Sequence, residues 1–277
     1  MTVNNMQELR QALDDGKMIK RLFSKSSYTP DTTGTPMLLT NVAGIPPVIT
    51  TPSTAVVPDR TTTGAIHFPT PQGSNNSFIM GMGHTSDQAR PIMLADILSW
   101  QGGLSGTVIT AQTTNLPTAA LTRYTDGVGV MLGLACWTAT GSTAVNVTAS
   151  YTNQAGTTGR TTVSVNFWGG GFGAVSAAPT ATQFQALPLQ SGDYGVRAVA
   201  SVTLSASTLT AGNFGVFLFK PLAMVANYVP DYTGETEYIV HSSMMSEIQD
   251  NAFLTILTGM SGTAATITAG YINILQV

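Results

Sequence analysis

The side chains able to do chemistry are few and stand apart. The three histidines, His67, His84 and His241, are widely separated and fall in no metal-ligand spacing. Gly169-Gly-Gly-Phe-Gly173 lacks the Lys-Ser/Thr ending of a phosphate loop, and no credible helix follows it. No Gly-x-Ser-x-Gly elbow occurs. Glu235 and Glu237 are the one carboxylate pair that invites a glycosidase reading. Strand alternation sets both on one face without evidence of the gap that acid and nucleophile require, so a solvated edge is the better reading. Cys136 sits in an apolar run, where a thiol is an inert small hydrophobe. We expect no enzyme, no metal and no cofactor.

Arg123, Arg160 and Arg197 are the only cations between Trp100 and Phe219, and Asp126 and Asp193 the only acids. Charges kept in so neutral a stretch tend to have partners if buried. The expectation is turn fixing or intersubunit ion pairs, with Asp193 in a Ser-Gly-Asp turn, Arg160 after a hairpin loop, and Arg197 nearby. Plain surface solvation is the alternative, since exposed pairs contribute little.

Charged residues make up 9% of the 277, against about a quarter in an average domain. Apolar content is 43%, so the chain is not of disordered composition. A monomer with so little surface charge is poorly soluble, unless much of its surface faces neighbouring subunits or hydroxyls do the solvating, as in a secreted Thr/Ser-rich protein. A net charge of −3 argues against a dedicated nucleic-acid coat. The N-terminal segment mixes acids and bases where a signal peptide needs an apolar run, and no 18-residue apolar window suits a membrane span. Synthesis and folding in a cytoplasm are expected.

The elements that must position these residues are mostly strands. From Gly133 to Lys220, short runs of β-formers are punctuated by Gly, Asn and Ser about every ten residues, the pattern of an antiparallel sandwich. Ala144–Tyr151 and Thr161–Phe167 flank the turn-rich Asn153–Gly159 as a hairpin. Upstream, Asn5 and Glu8 resemble a capping box, and Met6, Leu9, Ala12 and Leu13 suit a short amphipathic helix ended by Gly16. Lys17–Phe23 would add a further turn or two. Five of the eleven basic residues (Arg10, Lys17, Lys20, Arg21, Lys25) lie here. Met6, Leu9, Leu13, Lys17, Lys20 and Arg21 are the candidate partner contacts of an anchoring arm. A solvated helix end is the alternative, favoured over nucleic-acid contact because Glu8, Asp14 and Asp15 offset much of the charge.

Residues 26–71 are rich in Pro, Thr and Gly with apolar anchors, which suits an extended arm lying on another surface. Pro91 is well placed to begin a helix over Ile92–Trp100; a buried strand is the alternative. Ser246–Leu257 reads as a second helix, with Ile248, Ala252, Phe253 and Ile256 on one face. Thr263–Val277 reads as a strand that closes the sheet or joins a neighbour's, and its alternation changes phase near Gly270, which marks a bulge.

Three segments, in order, carry a resemblance. They are Leu94-Ala-Asp-Ile-Leu-Ser-Trp-Gln-Gly-Gly-Leu-Ser-Gly-Thr107 with Thr110-Ala-Gln-Thr113, then Ala149-Ser-Tyr-Thr-Asn-Gln-Ala-Gly-Thr-Thr-Gly-Arg-Thr161, then Leu189-Gln-Ser-Gly-Asp-Tyr-Gly-Val-Arg-Ala-Val199. Between about Met80 and Leu222 the chain resembles structural proteins of tailed bacteriophages. The resemblance implies a virion component with a β-sandwich core. The expectation is therefore a mainly β, jelly-roll-like antiparallel sandwich with a short N-terminal helix and one or two small helices. Its segments are an arm (1–77), a core (78–222) and a C-terminal extension (223–277). The expected function is a non-enzymatic, head-associated decoration or cement protein, or a minor capsid protein. Its partners would be sister subunits and other virion proteins, the major capsid protein among them, without nucleic acid or membrane. A tail or fibre component reading host glycans through loop aromatics such as Trp168 or Tyr194 is the alternative.

Overall fold

Runs rich in Val, Ile, Thr and aromatic residues form strands because their branched or flat side chains pack on a pleated surface. The computed structural model describes residues 6–28, 36–70, 76–167, 182–227, 229–237, 246–259 and 266–277. One helix opens the described chain, α1 (Met6–Asp14). The strands then follow as β1 (Met18–Tyr28), β2 (Met37–Leu38), β3 (Gly44–Ile45), β4 (Ser77–Ser86), β5 (Arg90–Leu104) and β6 (Gln112–Leu116). Next come β7 (Met131–Thr138), β8 (Val145–Asn153), β9 (Arg160–Thr161), β10 (Val165–Phe167), β11 (Thr182–Ala186) and β12 (Val196–Leu204). The last are β13 (Asn213–Asn227), β14 (Thr233–Glu237), β15 (Glu247–Ile248), β16 (Leu254–Thr258) and β17 (Thr266–Gln276). A 3-10 turn at Leu39–Asn41 is the other helical element among the described residues.

The strands form two open sheets and a closed barrel. The six-stranded sheet runs β14-β4-β17-β1-β3, with β15 also on β4. The barrel runs β11-β2-β16-β5-β13-β7 and closes through the β11–β7 pair. The five-stranded sheet runs β10-β8-β12-β6, with β9 on β8, and contains the expected hairpin. Neighbouring strands pair antiparallel in both sheets and in the barrel. The fold is thus mainly β and antiparallel, with one short N-terminal α-helix.

Three apolar clusters hold the layers. Phe23, Ile79, Met82, Ile272 and Ile274 of the six-stranded sheet pack on Ile92, Leu94, Val225 and Ile256 of the barrel. Val147, Tyr151, Val199, Val202 and Leu204 of the five-stranded sheet pack on Leu98, Leu132, Leu134, Val216 and Leu218. Trp100, Trp137, Phe184, Phe217, Phe219 and Phe253 form a third cluster, with Trp100 edge-on to Phe253 at 5.0 Å. The 15-residue strands β5 and β13 supply side chains to all three, and so tie the layers together.

Several segments depart from their sequence reading. Ile92–Trp100 is the middle of β5, paired with β13 on one side and β16 on the other. Nearly every side chain there is buried, and an all-round apolar strand carries the same composition as a buried helix. Ser246–Leu257 is not a helix either: it holds β15, a turn closed by Ala252 N–H donating to Gln249 O, and most of β16, which is buried along its whole length. Lys17–Phe23 passes directly into β1 rather than into further helical turns.

β17 keeps one phase. Thr266, Thr268, Ile272 and Ile274 are buried, whereas Ile267 is 54% exposed. Threonines occupy the inward positions, so a reading that followed apolar residues took the outward set. Gly270 marks a close approach: a Cβ there would lie 2.2 Å from Gly83 O and 2.4 Å from the Phe23 ring. The register shift against β4 falls instead between Asn273 and Ile274.

The segments 1–77, 78–222 and 223–277 interleave. β1 pairs with β17, and β2 lies between β11 and β16 in the barrel. The Pro/Thr-rich stretch is anchored on its own chain: Val56 and Trp100 exchange two backbone hydrogen bonds, and Ile66 N–H donates to Leu254 O.

Candidate assembly surface and its braces

Alternation along β1 sorts its side chains. Phe23 and Lys25 point inward and are buried, while Met18, Lys20 and Leu22 are exposed, Leu22 at 65%. Lys25 is a charge the sequence reading did not place in the interior. Its Nζ donates to Val42 O at 3.1 Å and Pro46 O at 2.6 Å, and burial lowers its pKa to about 8. Strand parity with Phe23 was the available signal.

The candidate arm residues separate into two groups. Leu9 and Ala12 of α1 are buried against Met80 and Leu275, so Leu9 serves this chain's own sheet. Met6 begins α1, but its side chain lies outside the described residues; Leu13 is half-buried. Lys17 and Arg21 are half-buried and Lys20 is exposed.

Lys20, Arg21 and Leu22 line a cleft of about 540 Å³ with Ile45, Pro47 and His67. Leu22 and Ile45 are both more than half exposed there. On the outer face of the same sheet, Lys20 Nζ lies 4.3 Å from the centre of the Tyr271 ring, and Tyr271 OH donates to Glu235. Glu235 and Glu237 share that exposed face, as strand alternation predicts.

Two ion pairs brace the molecule behind this surface. Arg160 and Asp193 are brought together: Arg160 Nε donates to Asp193 Oδ2 at 2.8 Å. Tyr151 OH donates to the same oxygen at 2.5 Å, and Asn153 Nδ2 donates to Oδ1 at 2.8 Å. These donors hold the Asp193 carboxyl down at about 2. Gln190 N–H donates to Tyr151 Oη, so the network fixes the Ser-Gly-Asp turn onto β8. Arg197 does not join it. Its Nε donates to Asp126 O at 3.1 Å, across from Gly127.

The second pair joins Arg123, one of the charges expected to have a partner, to Asp96, which the sequence does not single out. Arg123 Nε and Nη2 donate to Asp96 Oδ2 and Oδ1 at 2.8 and 3.0 Å, and both residues are buried. Arg123 Nη2 also donates to Pro58 O and Ile97 O, and Asp96 Oδ1 accepts from Phe253 N–H. Burial raises the Asp96 carboxyl against the pull of Arg123, to about 6. The pair joins β5, the chain before β7, the Pro/Thr-rich stretch and the entry to β16.

The remaining candidates stay apart. His84 is buried with Nε2 on Arg90 O at 2.9 Å, and burial lowers its pKa. His67 is exposed beside Arg60 O. Cys136 is buried, its Sγ on Thr138 O at 3.3 Å. His241, Trp168 and Gly169–Gly173 lie outside the described residues. Tyr194 is 64% exposed beside the Asp193 network. Among the described residues no three His, Cys, Asp or Glu side chains gather as a metal site, and no helix is long and apolar enough to cross a membrane.

No family model matches the chain, and no curated protein matches its sequence. Among solved structures it is similar to infectious bursal disease virus VP2 in a subviral particle, at 7% identity and TM-score 0.19, over 94% of this chain and 80% of that one. The same virus's derived T=1 particles align at 8% identity and TM-score 0.20, over 94% and 78%. The human polyomavirus 6 VP1 pentamer aligns at 8% identity and TM-score 0.13, over 94% of each chain. TM-scores this low do not define a shared fold, and none of the three is a tailed-phage protein.

Proposed function

We propose that this chain is a non-enzymatic structural subunit of a virus particle, acting in a tailed phage as a head-associated decoration, cement or minor capsid protein. One observation carries the reading. A chain with 9% charged residues presents, at one edge of its six-stranded sheet, exposed Met18, Leu22 and Ile45 beside Lys20 and Arg21. Apolar side chains rimmed by charge in this way suit repeated contacts with other subunits. The buried Arg123–Asp96 pair and the half-buried Arg160–Asp193 pair serve as braces between remote segments, which suits a rigid building block. The resemblance of Leu94–Thr107, Ala149–Thr161 and Leu189–Val199 to tailed-phage structural proteins supplies the virion and the phage. Sister subunits and the capsid lattice are the partners.

Copy number per particle, measured by mass spectrometry of purified virions, tests this. A count comparable to the capsid subunit supports the head role. A count far below it transfers the protein to the tail, and absence from virions removes the reading. The exposure of Tyr194 and Tyr232 favours a second reading, host-glycan binding by a tail or fibre component. In that case Tyr194→Ala abolishes adsorption while particles still assemble.

A further inference from the structure

The six-stranded sheet has two edges whose backbone directions can be worked out residue by residue. Gln276 N–H donates to Lys17 O, so Lys17 belongs to a hydrogen-bonded pair with β17. In an antiparallel ladder every second residue shares that direction. Ile19, Arg21 and Phe23 therefore bond β17, and Met18, Lys20 and Leu22 turn their N–H and C=O outward. Ser26 N–H, which has the same parity, donates outward to Ala43 O. β3 covers only Ser24 and Lys25, and among the described residues no strand covers Met18–Phe23.

The same alternation passes across the sheet. On β17, Tyr271 and Asn273 face β4 and bond Gly83 and Gly81. Met82 and His84 are left to bond β14 through Thr236 and Gly234. Thr233, Glu235 and Glu237 then turn their backbone groups away from β4, and among the described residues no strand pairs with them.

These edges match. β14, β4, β17 and β1 alternate in direction, so β1 and β14 run opposite to each other. A second copy placed beside the first continues the antiparallel sheet. Centring the two segments puts Lys20 opposite Glu235, Leu22 opposite Thr233 and Met18 opposite Glu237. Each of these residues points its backbone groups at the new neighbour. Their side chains share one face, because Lys20 and Glu235 both reach Tyr271 within a single chain. One edge carries Lys20 and Arg21; the other carries Glu235 and Glu237.

We propose that the partner at the β1 edge is the β14 edge of a second copy of this chain, joined by β-strand addition with Lys20 paired to Glu235. This rests on the reading of the chain as an assembly subunit and names the contact. The interface is heterologous, so successive copies close into a ring or continue as a filament, according to the sheet twist.

Lys20→Glu and Glu235→Lys test it, because both positions are exposed and neither substitution should disturb the fold, as circular dichroism would verify. Sedimentation of the full chain across the micromolar range should show association, weakened about tenfold or more by either substitution. Each variant alone should show that weakened association, and an equimolar mixture should recover that of the unmodified chain, because each supplies the charge the other lacks. Hydrogen exchange should show the amides of Met18, Lys20 and Leu22 protected only in the associated form. Variants that associate like the unmodified chain, or a mixture that stays monomeric while the unmodified chain associates, overturn the proposal. A chain that is monomeric throughout overturns it as well, and high copy number in virions would then leave the structural reading standing with a different partner on β1.

Discussion

Arg123 grips Asp96 with two parallel hydrogen bonds, of 2.8 and 3.0 Å, inside the protein, and the two residues lie 27 positions apart. Asp96→Asn leaves Arg123 charged and buried, and Arg123→Ala leaves the Asp96 carboxyl, already raised to about 6 by burial, without the cation that favours its ionised form. Arg123→Ala or Asp96→Asn should cost about 3–5 kcal/mol. Urea unfolding would measure it, and the double substitution Asp96→Leu with Arg123→Met should cost less than the sum of the two single changes.

The Asp193 turn should fail on the acid side. Its donors lower the carboxyl from 3.8 to about 2, so the unfolded chain binds the proton more readily between those values. The stabilisation is complete above the unfolded pKa and is lost as pH falls through about 2. Acid unfolding of the unmodified chain and of Asp193→Asn should therefore differ most above pH 3.8 and converge below 2.

Lys25 works at the other end of the scale. Its pKa is lowered from 10.5 to about 8, so its charged form is disfavoured in the folded state. Stability from this group is fully present above 10.5 and is lost as pH falls through about 8. Thermal unfolding of the unmodified chain should show this rise between pH 8 and 10.5, and Lys25→Met should lack it.

Gly270 leaves room for the Phe23 ring where β17 crosses β1. Gly270→Ala puts a methyl group into both that ring and Gly83 O, and should cost about 2 kcal/mol. Denaturant unfolding measures the loss; Ala269→Gly, one residue away on the opposite face, is the control for backbone flexibility alone.

The sequence-readable part of this molecule was local. Asp193 and Arg160 stood out because an acid in a turn and a base after a hairpin loop are conspicuous among so few charges. Asp96 did not. It lies within Ile92–Trp100, where burial on both faces of β5 imitates a helix, and its partnership with Arg123 exists only once β5 is a strand. β17 was misphased because Thr266 and Thr268 take core positions that apolar counting assigns to Ala and Ile. Lys25 looks like a solvated arm charge until Met18–Tyr28 is a strand, whose alternation turns it inward with Phe23. The exposed pairing of Glu235 with Glu237 needed only alternation, whereas the matching edges needed the full strand order.

β17 lies between β4 and β1, yet it is the last of that sheet's strands to leave the ribosome. Ile267 N–H donates to Asp87 Oδ1, a partner synthesised 180 residues earlier. At roughly 5–20 residues per second, β1 and β4 wait on the order of ten seconds or more for the strand between them. The sheet that carries both matching edges is thus finished only on chains translated through Gln276. A nascent chain cut short of β17 cannot present them, so both edges stay unfinished while the 180 residues after Asp87 are being made.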